Sequence, residues 1–69
     1  MEIYYLLNKD IVSRDAAQLN WKLNQLSLTI HIKNNSKDKI INGKSLIGIL
    51  SGNFRYNDKI TIMIDDYHD

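Results

Sequence analysis

The 69-residue sequence has no cysteine, no proline and only three glycines. Without cysteine, neither a disulfide nor a cysteine-bound zinc can staple the fold. Packing alone must hold the chain, yet a domain this small removes only about 60% of its unfolded surface from water. An excess of one charge is missing too: nine Lys and Arg stand against eight Asp and Glu, for a net charge of +1. That balance makes no electrostatic case for nucleic acid or an anionic membrane as the main partner. No apolar run approaches the roughly 20 residues of a spanning helix. Met1 to Leu7 is too short for a secretory leader and lacks a basic lead-in. Internal repeats and low-complexity tracts are absent, as are glycine-rich phosphate loops, nucleophile elbows and zinc motifs. The expectation is a single soluble domain over residues 1–69, cytoplasmic, with no cofactor and no metal. Its small core makes oligomerisation an available route to further burial.

What is present is an ordinary 43% of hydrophobic residues, arranged in readable periods. Glu2 to Leu7 is β-branched and aromatic enough for a strand, ended by Asn8-Lys9-Asp10. Ala16, Leu19, Leu23 and Leu26 recur at three- and four-residue steps, one face of an amphipathic helix. Ser13 is the expected N-cap, and Asp15 in the first turn suits the positive helix end. Leu28, Ile30 and Ile32 alternate with Thr29, His31 and Lys33, the clearest strand in the chain. A polar turn over 34–38 and a short returning strand from Lys39 to Asn42 complete a hairpin. Ser45 then opens Leu46-Ile47-Gly48-Ile49-Leu50, which reads as two helical turns capped by Ser45 and closed by Gly52. Lys59 to Asp65 places Ile60, Ile62 and Ile64 on one face of a last strand. The order β-α-β-β-α-β predicts an α+β fold, an antiparallel sheet with helices on one face.

Two stretches carry a resemblance. Lys44-Ser45-Leu46-Ile47-Gly48, with the Ile60-Thr61-Ile62 strand after it, resembles the regulatory-serine segment Lys-Ser-Ile-Met-Gly of the HPr phosphocarrier family. Ile11-Val12-Ser13-Arg14-Asp15-Ala16-Ala17 is similar to that family's active-site segment Leu-His-x-Arg-Pro-Ala. With the element order, the resemblance covers nearly the whole chain and implies an HPr-like open-faced β-sandwich.

The departures from the pattern carry as much information. The family's phosphocarrier histidine falls at Val12, which has no nucleophile, and its proline falls at Asp15. The phosphoester of Ser13 would be too stable for rapid transfer, and a carboxylate at Asp15 repels phosphate at a helix N-terminus. No catalytic residue is therefore expected. Arg14 keeps the family's arginine position, where it either binds an anion or is a solvated surface residue. Family members carry a C-terminal helix after the last strand, whereas Asp65-Asp66-Tyr67-His68-Asp69 stops where it would begin. The C-terminal helix is expected to be missing. That leaves uncovered parts of the Ile3/Tyr5, Ile30/Ile32 and Ile60/Ile62/Ile64 rows, and a homo-oligomer or another protein is expected to cover them.

Ser45 has the sharpest functional reading. The resemblance implies phosphorylation by a dedicated kinase and docking on a transcription regulator, with Lys44 as a positive neighbour. A helix N-cap explains the same serine without a kinase. Ile47 and Leu50 fall where the family presents apolar residues to its partners, or they plug the small core. Trp21 is either an edge of the core or an interface anchor. His31 and His68 lack metal-ligand spacing, and Asp65, Asp66 and Asp69 read as a solvated acidic tail. Lys37, Lys39, Lys59, Arg55 and Tyr56 are candidates for a basic and aromatic patch across loops, too weak at net +1 to predict nucleic-acid binding.

The reading is a non-catalytic, HPr-like regulatory or protein-binding module. Its residues are Ser45 as the phosphorylation candidate and Arg14, Lys44, Ile47 and Leu50 toward a partner, which is a carbon-catabolite regulator or the HPr kinase. The alternative is a self-associating phage- or prophage-encoded adaptor that keeps only the scaffold.

Overall fold

The computed structural model describes residues 1–66. The elements run β1 (Glu2–Leu6), α1 (Ser13–Leu23), β2 (Leu28–Asn34), β3 (Lys39–Asn42), α2 (Leu46–Ser51) and β4 (Lys59–Asp66). This is the predicted order. All three strand pairings are antiparallel, and the sheet order is β1-β4-β2-β3. Register aligns Ile3, Ile62, Ile32 and Ile41 in one row across the four strands. Beside them Ile30 opposes Ile64, and Tyr5 opposes Ile60.

Period-two alternation then sorts the two sheet faces. Ile30, Ile32, Ile41 and Ile60 are buried on one face, in a core with Ala16 of α1, Ile49 of α2, Leu7 and Phe54. Leu19 and Leu23 of α1 pack against its margin. Thr29 and His31 are exposed on the opposite face, as their alternation predicts. No helix among the described residues is long and apolar enough to cross a membrane.

Three expectations are corrected. The N-cap of α1 is Val12 and not Ser13, and no side chain caps this helix. The Ile11 amide donates to the Phe54 carbonyl at 2.9 Å and the Ala16 amide to the Val12 carbonyl at 2.9 Å, so helical bonding begins one residue early. α1 also ends at Leu23, where Asn24 reaches back to the Asn20 carbonyl through both its amide and its side chain. Finally, the uncovered strip is narrower than the rows expected. Ile30, Ile32 and Ile60 are buried, because α2, Leu7 and Phe54 close over them alongside α1. Ile62 and Ile64 are half-buried, and the open part lies at β1, where Ile3 and Tyr5 are 42% and 49% exposed.

Tight turns position the loops around this core. Asp38, Asn53 and Asn57 adopt positive φ, which short side chains that bond locally tolerate better than others.

Candidate partner-binding surface

α2 is short, so its geometry depends on its ends. Ser45 sits before it in extended backbone, and its Oγ accepts the Gly48 amide at 3.0 Å. The Gly52 amide closes the other end on the Gly48 carbonyl at 3.0 Å. Ser45 is thus the N-cap the sequence predicts, half-buried at the surface. Gly48 has no room to spare, because a Cβ there would stand 3.2 Å from both the Asn42 carbonyl and Ser45 Oγ.

The helix divides its apolar residues sharply. Ile49 points into the core at 1% exposure, while Ile47 is 80% exposed and Leu46 and Leu50 lie open beside it. Of the two roles open to Ile47 and Leu50, core filling belongs instead to Ile49. Three neighbouring apolar side chains on so short a helix form an outward ridge, the kind of surface that protein partners bury.

Lys44 ties this ridge to α1. Its ammonium bonds the Leu26 carbonyl, just beyond the end of α1, and its carbonyl accepts the Asn24 side-chain amide at 3.2 Å. Its positive charge is therefore engaged with α1 and not free at Ser45. At the opposite end, Ile11 bonds the loop that follows α2. The two helices therefore run antiparallel, with Ser45 at one end of the pair and Arg14 at the other.

The N-terminal end of α1 has little to offer an incoming anion. Val12 is half exposed and has no acid-base group. Asp15 accepts from Lys9 at 3.0 Å, and this hydrogen bond holds its carboxyl below the ordinary carboxylate range. Asp10 takes the Tyr56 amide at 2.7 Å and faces Arg55 at 3.9 Å. Two carboxylates thus flank the helix start. Arg14 is exposed and makes no ion pair among the described residues.

The remaining singled-out residues fall apart from this surface. Trp21 is 67% exposed on α1 above Ala17, Gln18 and Lys22, which removes it from the core. The basic cluster is dispersed onto local acceptors. Lys37 bonds Asp58 and the Asn53 carbonyl, Lys39 the Ser51 carbonyl, and Arg55 the Asn53 side chain. No group of metal-ligating side chains occurs among the described residues. Asp65 and Asp66 belong to β4, whereas His68 and Asp69 lie outside the described residues.

Sequence reasoning missed Asn34 and Asp58. The sequence pattern puts Asn34 in the turn, yet it ends β2 and is fully buried, and Asp58 is buried beside it. An Asn ending a strand opposite a later Asp has no periodic signature that marks it as interior. Phe54 was missed for a related reason, since it lies in a loop rather than in any amphipathic pattern.

Comparison with known proteins places this geometry. The family model described as the PTS HPr component phosphorylation site matches residues 7–69. No curated protein sequence matches the chain. Among solved structures, phosphocarrier protein HPr from Bacillus anthracis is 25% identical, with a TM-score of 0.83 over 94% of this chain and 77% of its own. HPr-C-His from Thermoanaerobacter tengcongensis is 19% identical, with a TM-score of 0.82 over 94% and 73%. The histidine-containing phosphocarrier protein of Mycoplasma is 22% identical, with a TM-score of 0.82 over 94% and 74%. The strand order, the capped short helix and the match over residues 7–69 converge on one conclusion: the chain belongs to the HPr family of the phosphotransferase system.

Proposed function

We propose that this HPr-family chain is not an enzyme or a phosphocarrier but a cytoplasmic protein-binding module acting through α2 and the adjoining ends of α1. The observation that carries the reading is the contrast between two positions. Val12, half exposed at the start of α1, offers no nucleophile where the resemblance places the phosphocarrier histidine. Ile47, on the capped helix that begins after Ser45, is 80% exposed. Chemistry is lost where transfer would occur, and an apolar ridge is kept where a partner would dock.

Within this reading Ile47 and Leu50 supply the apolar contact, and Arg14 and Lys44 its charged ends. Ser45 is the regulatory position. A phosphoryl group on its Oγ would add negative charge at the amide-rich end of α2, a favourable place for it. The partner is a carbon-catabolite transcription regulator or the HPr kinase itself. Incubation with HPr kinase and ATP is expected to add about 80 Da, the mass of one phosphoryl group, in the wild type and nothing in Ser45→Ala. Absence of the shift in the wild type removes the kinase arm. Recovery of the regulator or the kinase from a low-GC Gram-positive lysate by wild type, and its loss in Ile47→Asp, tests the docking arm.

A second reading is favoured by a different observation. Every residue of β1 is exposed, and Ile3 and Tyr5 are only partly covered. This supports self-association through the uncovered part of the sheet, as in an adaptor, phage- or prophage-encoded, that retains the scaffold alone.

A further inference from the structure

The backbone of β1 says how such self-association would be built. Among the described residues β1 is one edge of the sheet and pairs only with β4. Met1 exchanges both of its backbone bonds with Ile64, at 2.9 and 2.8 Å. At the other end the Leu7 amide bonds the Asp58 carbonyl at 2.9 Å, and the Leu7 carbonyl accepts the Asn57 amide at 2.8 Å. Antiparallel ladders alternate, so Ile3 and Tyr5 are the bonded residues between them. Glu2, Tyr4 and Leu6 therefore turn both N–H and C=O away from the sheet.

Natural edges are usually blunted by lysine, proline, a bulge or brevity. The opposite edge, β3, is treated this way. It is four residues long, begins with Lys39, and its Asn42 carbonyl is taken by the Ser45 amide at 3.0 Å. β1 has no lysine, proline or bulge, and its single charge, Glu2, stands at its first residue. It is five residues of Glu, Ile, Tyr, Tyr and Leu.

Resting on the self-association reading, we propose that the occupant of this edge is a second copy of the chain, paired β1 to β1 in antiparallel register with Tyr4 opposite Tyr4 of the partner copy. Three features select this register. Only residues of even number face outward, and a twofold axis at Tyr4 matches even with even along the whole strand, leaving no outward N–H or C=O unpaired. Glu2 then stands opposite Leu6 of the other copy, so the like-charge juxtaposition of Glu2 with itself is avoided. Ile3 stands opposite Tyr5 in the closely spaced pairs, which buries the apolar part of each sheet that the helices leave open.

Charge adds a fourth argument. Leu6 is in register with Lys59 of its own β4. Glu2 of one copy thus lies two strand spacings, about 10 Å, from Lys59 of the other, on the same face. Neither group has an ion-pair partner among the described residues.

Sedimentation of the full chain from micromolar to millimolar concentration tests the association. The mass is expected to rise from 8.1 kDa toward twice that value. Tyr4→Pro removes an outward donor without touching the β1–β4 ladder, and is expected to weaken the dimer about tenfold or more, the loss of roughly two central bonds. Because the chain has no cysteine, the double variant Ile3→Cys/Tyr5→Cys reads the register directly. Residues two apart on one strand are too distant to join within a copy, so oxidation is expected to give a covalent dimer, and Ile3→Cys alone to give none. A chain that stays monomeric throughout overturns both the pairing and the self-association reading. A dimer that persists in Tyr4→Pro, or that links as readily through Ile3→Cys alone, overturns this pairing and leaves self-association standing.

Discussion

The side-chain amide of Asn34, fully buried at the end of β2, donates to the carboxylate of Asp58 at 3.0 Å. The same amide reaches the Gly52 carbonyl at 3.1 Å, and Asp58 also accepts the Arg55 amide at 2.9 Å and the Lys37 ammonium. One polar knot thus joins the sheet, the end of α2 and the loop into β4. It holds in place the loop that carries Phe54 over the core. Asn34→Ala leaves a buried carboxylate and a carbonyl short of a donor, and is expected to cost about 1–3 kcal/mol. Urea unfolding with an unchanged slope would measure it.

The acid limb of stability follows from the same carboxylate. The Lys37 ammonium, with the Arg55 amide, holds the Asp58 carboxyl down to about 2, against 3.8 when unshifted. The folded form therefore binds this proton less readily than the unfolded chain does. Its stabilisation is complete above pH 4 and is lost as pH falls toward 2. Thermal melts in that window are expected to steepen for wild type and to flatten for Asp58→Asn, which has no proton to take up there.

Two isoleucines two residues apart in α2 should behave oppositely. Ile49→Ala empties a fully buried site and is expected to destabilise by about 2–5 kcal/mol. Ile47→Ala removes an exposed side chain and is expected to change stability by no more than about 0.5 kcal/mol while weakening partner binding. Denaturation and pull-down on both variants separate the roles.

Ser45 has a structural duty that any phosphorylation assay must allow for. Ser45→Ala loses the bond to the Gly48 amide and is expected to cost about 1 kcal/mol. Ser45→Asp keeps a capping oxygen and should melt close to wild type. A kinase defect shared by the alanine variant and a stability-matched control elsewhere would point to folding and not to the hydroxyl.

Gly52 is required by space, since its φ of −67° is open to any residue. A Cβ there would come within 2.3 Å of the Phe54 ring. Gly52→Ala is expected to destabilise by about 1–3 kcal/mol by forcing that ring from the core. Tryptic sensitivity at Arg55, which follows Phe54, would report the displaced loop.

The candidate surface was partly legible in the residues. Ser45 could be read as a cap because an N-cap is a local device, a hydroxyl three residues from the amide it serves. Ile47 could not be told from Ile49, since both are isoleucine in a segment too short for periodicity to assign its faces. Only the docking of α2 on β3 and α1 exposes one and buries the other. Ser13 misled because an expected cap yields when the Ile11–Phe54 bond sets where the helix begins.

The opening absences retain their force. A chain without cysteine relies on packing, and its alternating and three-to-four patterns, together with the cap and turn residues between them, marked the six elements and their order. Local sequence could do this because strand and helix periods are written into neighbouring residues. Tertiary structure alone decided that Asn34 and Asp58 are interior, that Phe54 closes the core, and that the helix-covered face of the sheet stays open only at β1. Those facts depend on contacts between residues far apart in the chain, which no local period encodes. The missing proline matters most at that edge: past Glu2, β1 has neither proline nor lysine to blunt it, and the structure leaves it open.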